Sequence, residues 1–156
     1  DSYSFNTVLN AYCSAGRHAD ARRVFQRMRE ACLDDDCSYS TIIGISTPDE
    51  VPGILASMRE RGIACDLVTA NSALNVYAEA GRGEDCEAFV QTHMNGPGKP
   101  ACSGQTYTIV AKAFSKAGLP RRAEAALRAA EARRLPIDAI LYAVVADAYA
   151  SMDTPQ

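Results

Sequence analysis

The stretch from Asn6 to Arg17 (NTVLNAYCSAGR) returns 65 residues later, nearly unchanged, as Asn71 to Arg82 (NSALNVYAEAGR). A looser copy runs from Thr108 to Gly118, a truncated one from Ala143 to Tyr149, and a short relative is Tyr39 to Gly44. The residue ahead of each copy is Phe5, Tyr39, Ala70, Tyr107 or Tyr142, giving spacings of 34, 31, 37 and 35 residues. A period near 35 in a chain with helical patterning specifies stacked repeats, and it overrides any reading of the chain as one ordinary globular core.

Within a repeat, Phe5, Val8, Leu9 and Tyr12 fall on one face of a helix, and Gly16 sits where a left-handed residue ends it. A second stripe follows at Ala21, Val24, Phe25 and Met28. The third repeat repeats the design with Leu74, Tyr77 and Gly81, then Cys86, Phe89, Val90 and Met94. The fourth uses Tyr107, Val110, Ala111, Phe114 and Gly118, then Ala123, Ala126, Leu127 and Ala130, with Pro120 in the first turn of its second helix. The predicted fold class is therefore all-α, a right-handed α-solenoid (superhelix) of helix-turn-helix repeats of about 35 residues. Isolated pairs this short are marginal in water, so stability has to come from stacking.

The predicted boundaries are 2–35 for repeat 1, 36–66 for a shortened repeat 2, 67–103 for repeat 3 with a loop insertion at 95–104, 104–138 for repeat 4, and 139–156 for the first helix of an incomplete fifth. In repeat 2, Thr47-Pro48-Asp49-Glu50 replaces the end of the first helix and its glycine stop, and predicts a capping-box start for a helix running to Gly62. Asn95 to Pro100 (NGPGKP) can only be loop. Asp1 is not an initiator residue, so the sequence is expected to be a piece of a longer protein.

The net charge of -3 counts against strong non-specific binding to nucleic acid. Arginine outnumbers lysine thirteen to three and gathers on the second helices. The six cysteines, at 13, 32, 37, 65, 86 and 102, show no C-x-x-C and no ligand-spaced histidine, so no metal site and no cofactor are expected. Reduced thiols fit them better, and Cys86 takes the seam position that Ala21 and Ala123 fill elsewhere. No apolar run reaches membrane-spanning length, so no membrane partner is expected. His18 and His93 lie far apart, and no acid-base pair, nucleophile constellation or phosphate loop emerges, so the chain is read as not an enzyme.

Beside each apolar stripe runs a polar, uncharged line: Tyr3, Asn6, Asn10 and Cys13, then Cys37, Ser40 and Gly44, then Val68, Asn71 and Asn75, then Gln105, Thr108 and Lys112. Stacking would align Asn6, Ser40, Asn71 and Thr108 on one surface. Short amides and hydroxyls suit hydrogen-bond recognition of base edges, whereas catalysis would call for titratable groups. Each repeat also ends in Asp35-Asp36, Asp66, Ser103 or Asp138, residues that equally suit capping of the next helix.

Phe5-Asn6-Thr7-Val8-Leu9, Ala15-Gly16-Arg17, Ala21 to Met28, Met58 to Ile63 with Asp66, and Tyr107-Thr108-Ile109-Val110 with Ala117-Gly118 together resemble the pentatricopeptide repeat family over essentially the whole chain. The resemblance implies single-stranded RNA binding at one base per repeat, with each base chosen by two or three side chains. The implied base-reading pairs are Asn6 with Asp35 or Asp36, Ser40 with Asp66, Asn71 with Ser103, and Thr108 with Asp138, for a target 5′-U-G-(C/U)-G-3′. The implied base wedges are Tyr3, Cys37, Val68, Gln105 and Ile140, of which Cys37 and Gln105 depart from the apolar type; Lys116 is the implied phosphate contact. The family also implies a monomer working in a mitochondrion or chloroplast in RNA processing, stability or translation. A protein-interaction scaffold of the related tetratricopeptide type, with other proteins as partners, is the alternative.

Overall fold

The first helices of repeats 1, 3 and 4 stop at the same device. Gly16, Gly81 and Gly118 adopt φ of +69°, +67° and +72°, and the residue after each donates its N–H five residues back, as Arg17 does to the Tyr12 carbonyl at 2.9 Å. The reversed chain then enters the second helix. In the computed structural model, which describes residues 1–152, this yields α1 (Ser2–Ser14), α2 (His18–Glu30), α3 (Asp36–Gly44), α4 (Val51–Glu60), α5 (Leu67–Glu79), α6 (Gly83–His93), α7 (Gly104–Lys116), α8 (Pro120–Ala132) and α9 (Ala139–Ala150), with no strand among the described residues. Residues 153–156 of the expected fifth repeat lie outside the described residues.

The helices fall into two compact units, Asp1–Val76 and the chain from Tyr77 on, divided within α5. In the first unit, Leu9, Ala21, Phe25, Met28, Tyr39, Ile42 and Met58 make one buried cluster joining α1, α2, α3 and α4. Phe25 meets Tyr39 edge-on at 5.1 Å, so the second helix of one repeat is keyed to the first helix of the next. In the second unit α7 packs on α6, α8 and α9. Phe114 is wholly buried, as are Ala123 and Ala130 of α8, whose methyl side chains let that helix lie close to its neighbours. The start of α6 comes closer still: a Cβ placed on Gly83 would stand 2.4 Å from the Phe114 ring.

Several local expectations are revised. Val8 lies off the seam at 45% exposure. The Thr47 N–H does bond the Glu50 carboxylate at 2.8 Å, but residues 48–50 form a turn, and α4 proper begins at Val51 rather than at the expected cap. α3 is only nine residues and ends at Ile45 with no left-handed glycine. Gly104 belongs to α7 instead of the loop, because Ser103 caps that helix. The loop itself is tied by Asn95, whose side chain accepts from the Cys102 N–H at 3.0 Å and donates to its sulfur. Two second helices, α2 and α8, end without glycine at Cys32 (φ +53°) and Arg134 (φ +54°), and the bonds from Leu33 N–H to the Met28 carbonyl and Leu135 N–H to that of Ala130 hold the same turn. A non-glycine residue there costs on the order of 1 kcal/mol. None of the six cysteines is in a disulfide, and burial, aided by Asp85 and Glu87, pushes the Cys86 thiol up to about 12. Among the described residues no helix is long and apolar enough to cross a membrane.

The two glycines of second helices make opposite predictions. Gly83→Ala forces its methyl into Phe114 and should lower stability in urea unfolding by about 1–3 kcal/mol. Gly53→Ala, where the added methyl meets nothing within 4 Å, should raise it by about 0.5–1 kcal/mol.

Candidate functional site

The geometry of the candidate site begins with helix capping. A helix opens with N–H groups that have no intrahelical partner, and the residue before it can satisfy one of them. Here the last side chain of every repeat does so. Asp35 accepts from the Ser38 N–H at 2.9 Å, Asp66 from that of Thr69 at 2.8 Å, Ser103 from that of Thr106 at 3.3 Å, and Asp138 from that of Leu141 at 3.1 Å. Capping therefore accounts for the residue type at all four positions, and it fixes each acceptor at the mouth of the following first helix.

The first of these caps has a second partner. Asn6 Nδ2 donates to both carboxylate oxygens of Asp35, at 3.1 and 2.9 Å, across 29 residues of sequence. Asp36 points elsewhere: its carboxylate accepts from the Cys37 N–H. Both contacts come from the one amide nitrogen, while the Asn6 carbonyl oxygen is buried and has no hydrogen-bond partner among the described residues. One turn further, Thr41 donates to Asn10 Oδ1 at 3.1 Å, a second link between α1 and α3 that sequence reasoning missed. Asn10 lay on the polar line, but nothing in the sequence marked Thr41 as its partner.

The other pairs differ. Ser40 donates to the Cys37 carbonyl at 3.0 Å and Thr108 to that of Gly104 at 3.1 Å, and neither bonds its expected partner, Asp66 or Asp138. Asn71 and Ser103 fall in different units. Asn71 and Thr108, expected on an open surface, are each only 7% exposed. For Thr108 the cause is the packing of first helix α7 on first helix α9, which, like that of α1 on α3, turns the flank of a first helix into the wall of a crevice.

Three residues earlier on each first helix the side chains emerge. Tyr3 is 80% exposed, Val68 63% and Ile140 54%, and Cys37 and Gln105 are exposed too. The apolar side chains held out at the first turns of α1, α5 and α9 bury little within the fold. The charge around them is mixed. Lys116 is bridged to Glu79 at 3.3 Å, so its ammonium is partly neutralised. Burial pushes the Cys37 thiol up, and the carboxylates of Asp35, Asp36 and Asp66 push it further. Cys37 accordingly presents a neutral thiol in a negative field. His93 stacks on Phe89 at 4.6 Å, and His18 is exposed at the start of α2.

Comparison with known proteins follows the repeats. A family model described as PPR repeat matches residues 3–33 and 105–132. A mitochondrial pentatricopeptide repeat-containing protein of Arabidopsis thaliana is 23% identical over 138 residues, covering 85% of this chain and 26% of that protein. A putative pentatricopeptide repeat-containing protein of the same plant is 32% identical over 98 residues, covering 57% of this chain and 14% of its own length. The chain thus spans about a quarter or less of these relatives. Among solved structures, the pentatricopeptide repeat protein PPR10 in complex with an 18-nucleotide psaJ RNA element superposes with a TM-score of 0.82 at 19% identity, over 99% of this chain and 23% of that one. PPR10 from maize gives 0.70 at 26% identity, over 96% and 22%.

The two neighbouring aspartates should separate in mutagenesis. Asp35→Ala removes a cap and the Asn6 partner together and should cost about 1–2 kcal/mol in thermal or urea unfolding. Asp36→Ala, at an exposed first-turn position, should stay within about 0.5 kcal/mol.

Proposed function

Because this chain belongs to the pentatricopeptide repeat family, we propose that it is a sequence-selective, single-stranded RNA-binding segment of a longer organellar protein, reading one base per repeat. The observation that carries the reading is the Asn6–Asp35 pair beside an 80% exposed Tyr3: a fixed polar group next to a side chain free to stack. The pairs that read are Asn6 with Asp35, Ser40 with Asp66, Asn71 with Ser103 and Thr108 with Asp138, for the sequence 5′-U-G-(C/U)-G-3′.

Hydrogen-bond polarity supports that order. Asn6 commits an amide hydrogen to Asp35 and keeps an unpartnered acceptor, buried in the free protein, that suits the N3–H of uracil once the base uncovers it. Ser40 and Thr108 spend their hydroxyl hydrogens on backbone carbonyls and offer lone pairs to the N1–H of guanine. Adenine and cytosine present a bare ring nitrogen at that edge and would meet acceptor with acceptor. Tyr3, Val68 and Ile140 then wedge between bases, with Cys37 and Gln105 gripping less, and Lys116 contacts phosphate by exchanging Glu79 for the RNA. Binding and positioning, without bond-making, are the work of these residues. Mitochondrion or chloroplast is the proposed compartment, supported by the mitochondrial relative, with RNA processing, stability or translation as the role.

A scaffold for other proteins is the second reading. It is favoured by Leu119, Tyr149 and Met152, which stay exposed around an open cleft of about 470 Å³ between the start of α8 and the end of α9. A gel shift with short single-stranded RNAs at two salt concentrations separates the two. The RNA reading expects a complex whose log affinity falls with log salt by about 0.7 per phosphate contact, a shallow slope for so acidic a chain. Asn71→Ala should weaken that complex at constant helicity, Asn71→Thr should change the base preferred at the third position, and Tyr3→Ala should cost about 1–3 kcal/mol of binding. No complex at low salt would overturn the RNA reading in favour of the scaffold.

A further inference from the structure

Next to the Asn6–Asp35 pair the chain holds an ion pair, between a buried carboxylate and a partly exposed guanidinium, that neither the repeat pattern nor the capping accounts for. Asp34, the residue before Asp35, has a side chain only 3% exposed. Its carboxylate receives two parallel bonds from Arg61, Nη2 to Oδ1 at 2.8 Å and Nε to Oδ2 at 3.0 Å, and a third from the Tyr39 hydroxyl at 3.1 Å. The same guanidinium donates to the Arg29 carbonyl and lies 3.7 Å from the Cys32 sulfur. One side chain, from the C-cap of α4, therefore grips Arg29, Cys32 and Asp34, which span the turn joining α2 to α3.

That turn needs a grip. Cys32 sits at φ +53°, which a residue with a Cβ adopts reluctantly, and Asp35, the residue next to Asp34, must reach Ser38 and Asn6 at once. The clasp belongs to this joint alone: the residues in the Asp34 position of the other joints are Cys65, Cys102 and Ile137. Arg133, which ends α8 as Arg61 ends α4, instead lies over the Tyr107 ring at 5.9 Å. An ion pair that desolvates a carboxylate adds little net stability over an apolar contact of the same size, and the best-attested use of such pairs is to fix register.

We propose that Arg61 is a positioning residue for the first repeat: by holding Asp34 from the second helix of repeat 2, it sets the Asp35 carboxylate against Asn6 and so sets base selectivity one repeat away. This inference rests on the reading of Asn6 and Asp35 as a base-reading pair, but its structural half is measurable without RNA. Arg61→Gln would leave the buried Asp34 carboxylate without its counter-charge, so the variant combining Arg61→Gln with Asp34→Asn, which removes that charge, is the one to compare with it.

In amide NMR of the protein alone, the Asn6 side-chain signals should move toward those of a solvent-exposed asparagine in both variants, while the capped Leu141 amide stays in place. With RNA, the preference for U over C opposite repeat 1 should fall about five-fold, the worth of one held hydrogen bond, and the preference opposite Thr108 should hold. A purely structural Arg61 would lower affinity for every RNA together and leave both preferences intact. Unmoved Asn6 signals, or equal loss at both positions, would overturn the proposal. Failure of the unaltered protein to bind any RNA would instead sink the function proposed above, and the Asn6 signals would then decide the role of Arg61 by themselves.

Discussion

Every helix begins with N–H groups that its own turns cannot satisfy, and in this chain the last side chain of one repeat meets that need for the next. Asp35, Asp66, Ser103 and Asp138 each stand one residue ahead of a first helix and accept from its third N–H. The rest of the local arrangement hangs on this. Once the cap is made, the entry angle of the next first helix is set, its outer first-turn residue is held in solvent, and its flank faces the neighbouring first helix. Where Asn6 reaches across to Asp35, the cap also becomes a bridge between repeats.

Packing, more than charge, holds the pairs together. Ion pairs do cross between second helices and their neighbours, as with Arg22 and Glu50 or Arg122 and Glu87. Both pairs are about two-fifths exposed, and such pairs contribute at most about 1 kcal/mol each. The Phe25–Tyr39 contact and the seat of Gly83 on Phe114 bury whole rings and tolerate no change of volume. The arginines of the second helices serve mainly to tie an acidic surface to itself, which leaves the exposed first-turn side chains as the features turned wholly outward.

How much of this was legible in the sequence depends on the range of the interaction. The glycine stops, the seam residues Leu9, Leu74 and Phe114, and the helix pairs follow from short-range periodicity, and they appear where the pattern puts them. Positions governed by long-range packing were less legible. Val8 fits the seam by phase yet has no neighbour to cover it, whereas Thr108 fits the exposed flank yet is buried by the packing of α7 on α9. Cys32 and Arg134 carry no glycine-like signal, because their left-handed turns are imposed by the bonds around them. In the candidate site the residue types and their order were readable, but the choice of Asp35 over Asp36 as the partner of Asn6 and the engagement of Lys116 with Glu79 required coordinates.

The capping role limits what the end of a repeat can become over evolutionary time. A residue there must hold a short acceptor over a helix mouth, and Asp, Asn, Ser and Thr are the side chains that do this well. Mutational drift to a long, cationic or aliphatic residue forfeits the start of the next helix before any ligand is met. The vocabulary at that position is therefore confined to four residue types by helix thermodynamics, and selection for a partner can only choose among words that the backbone already accepts.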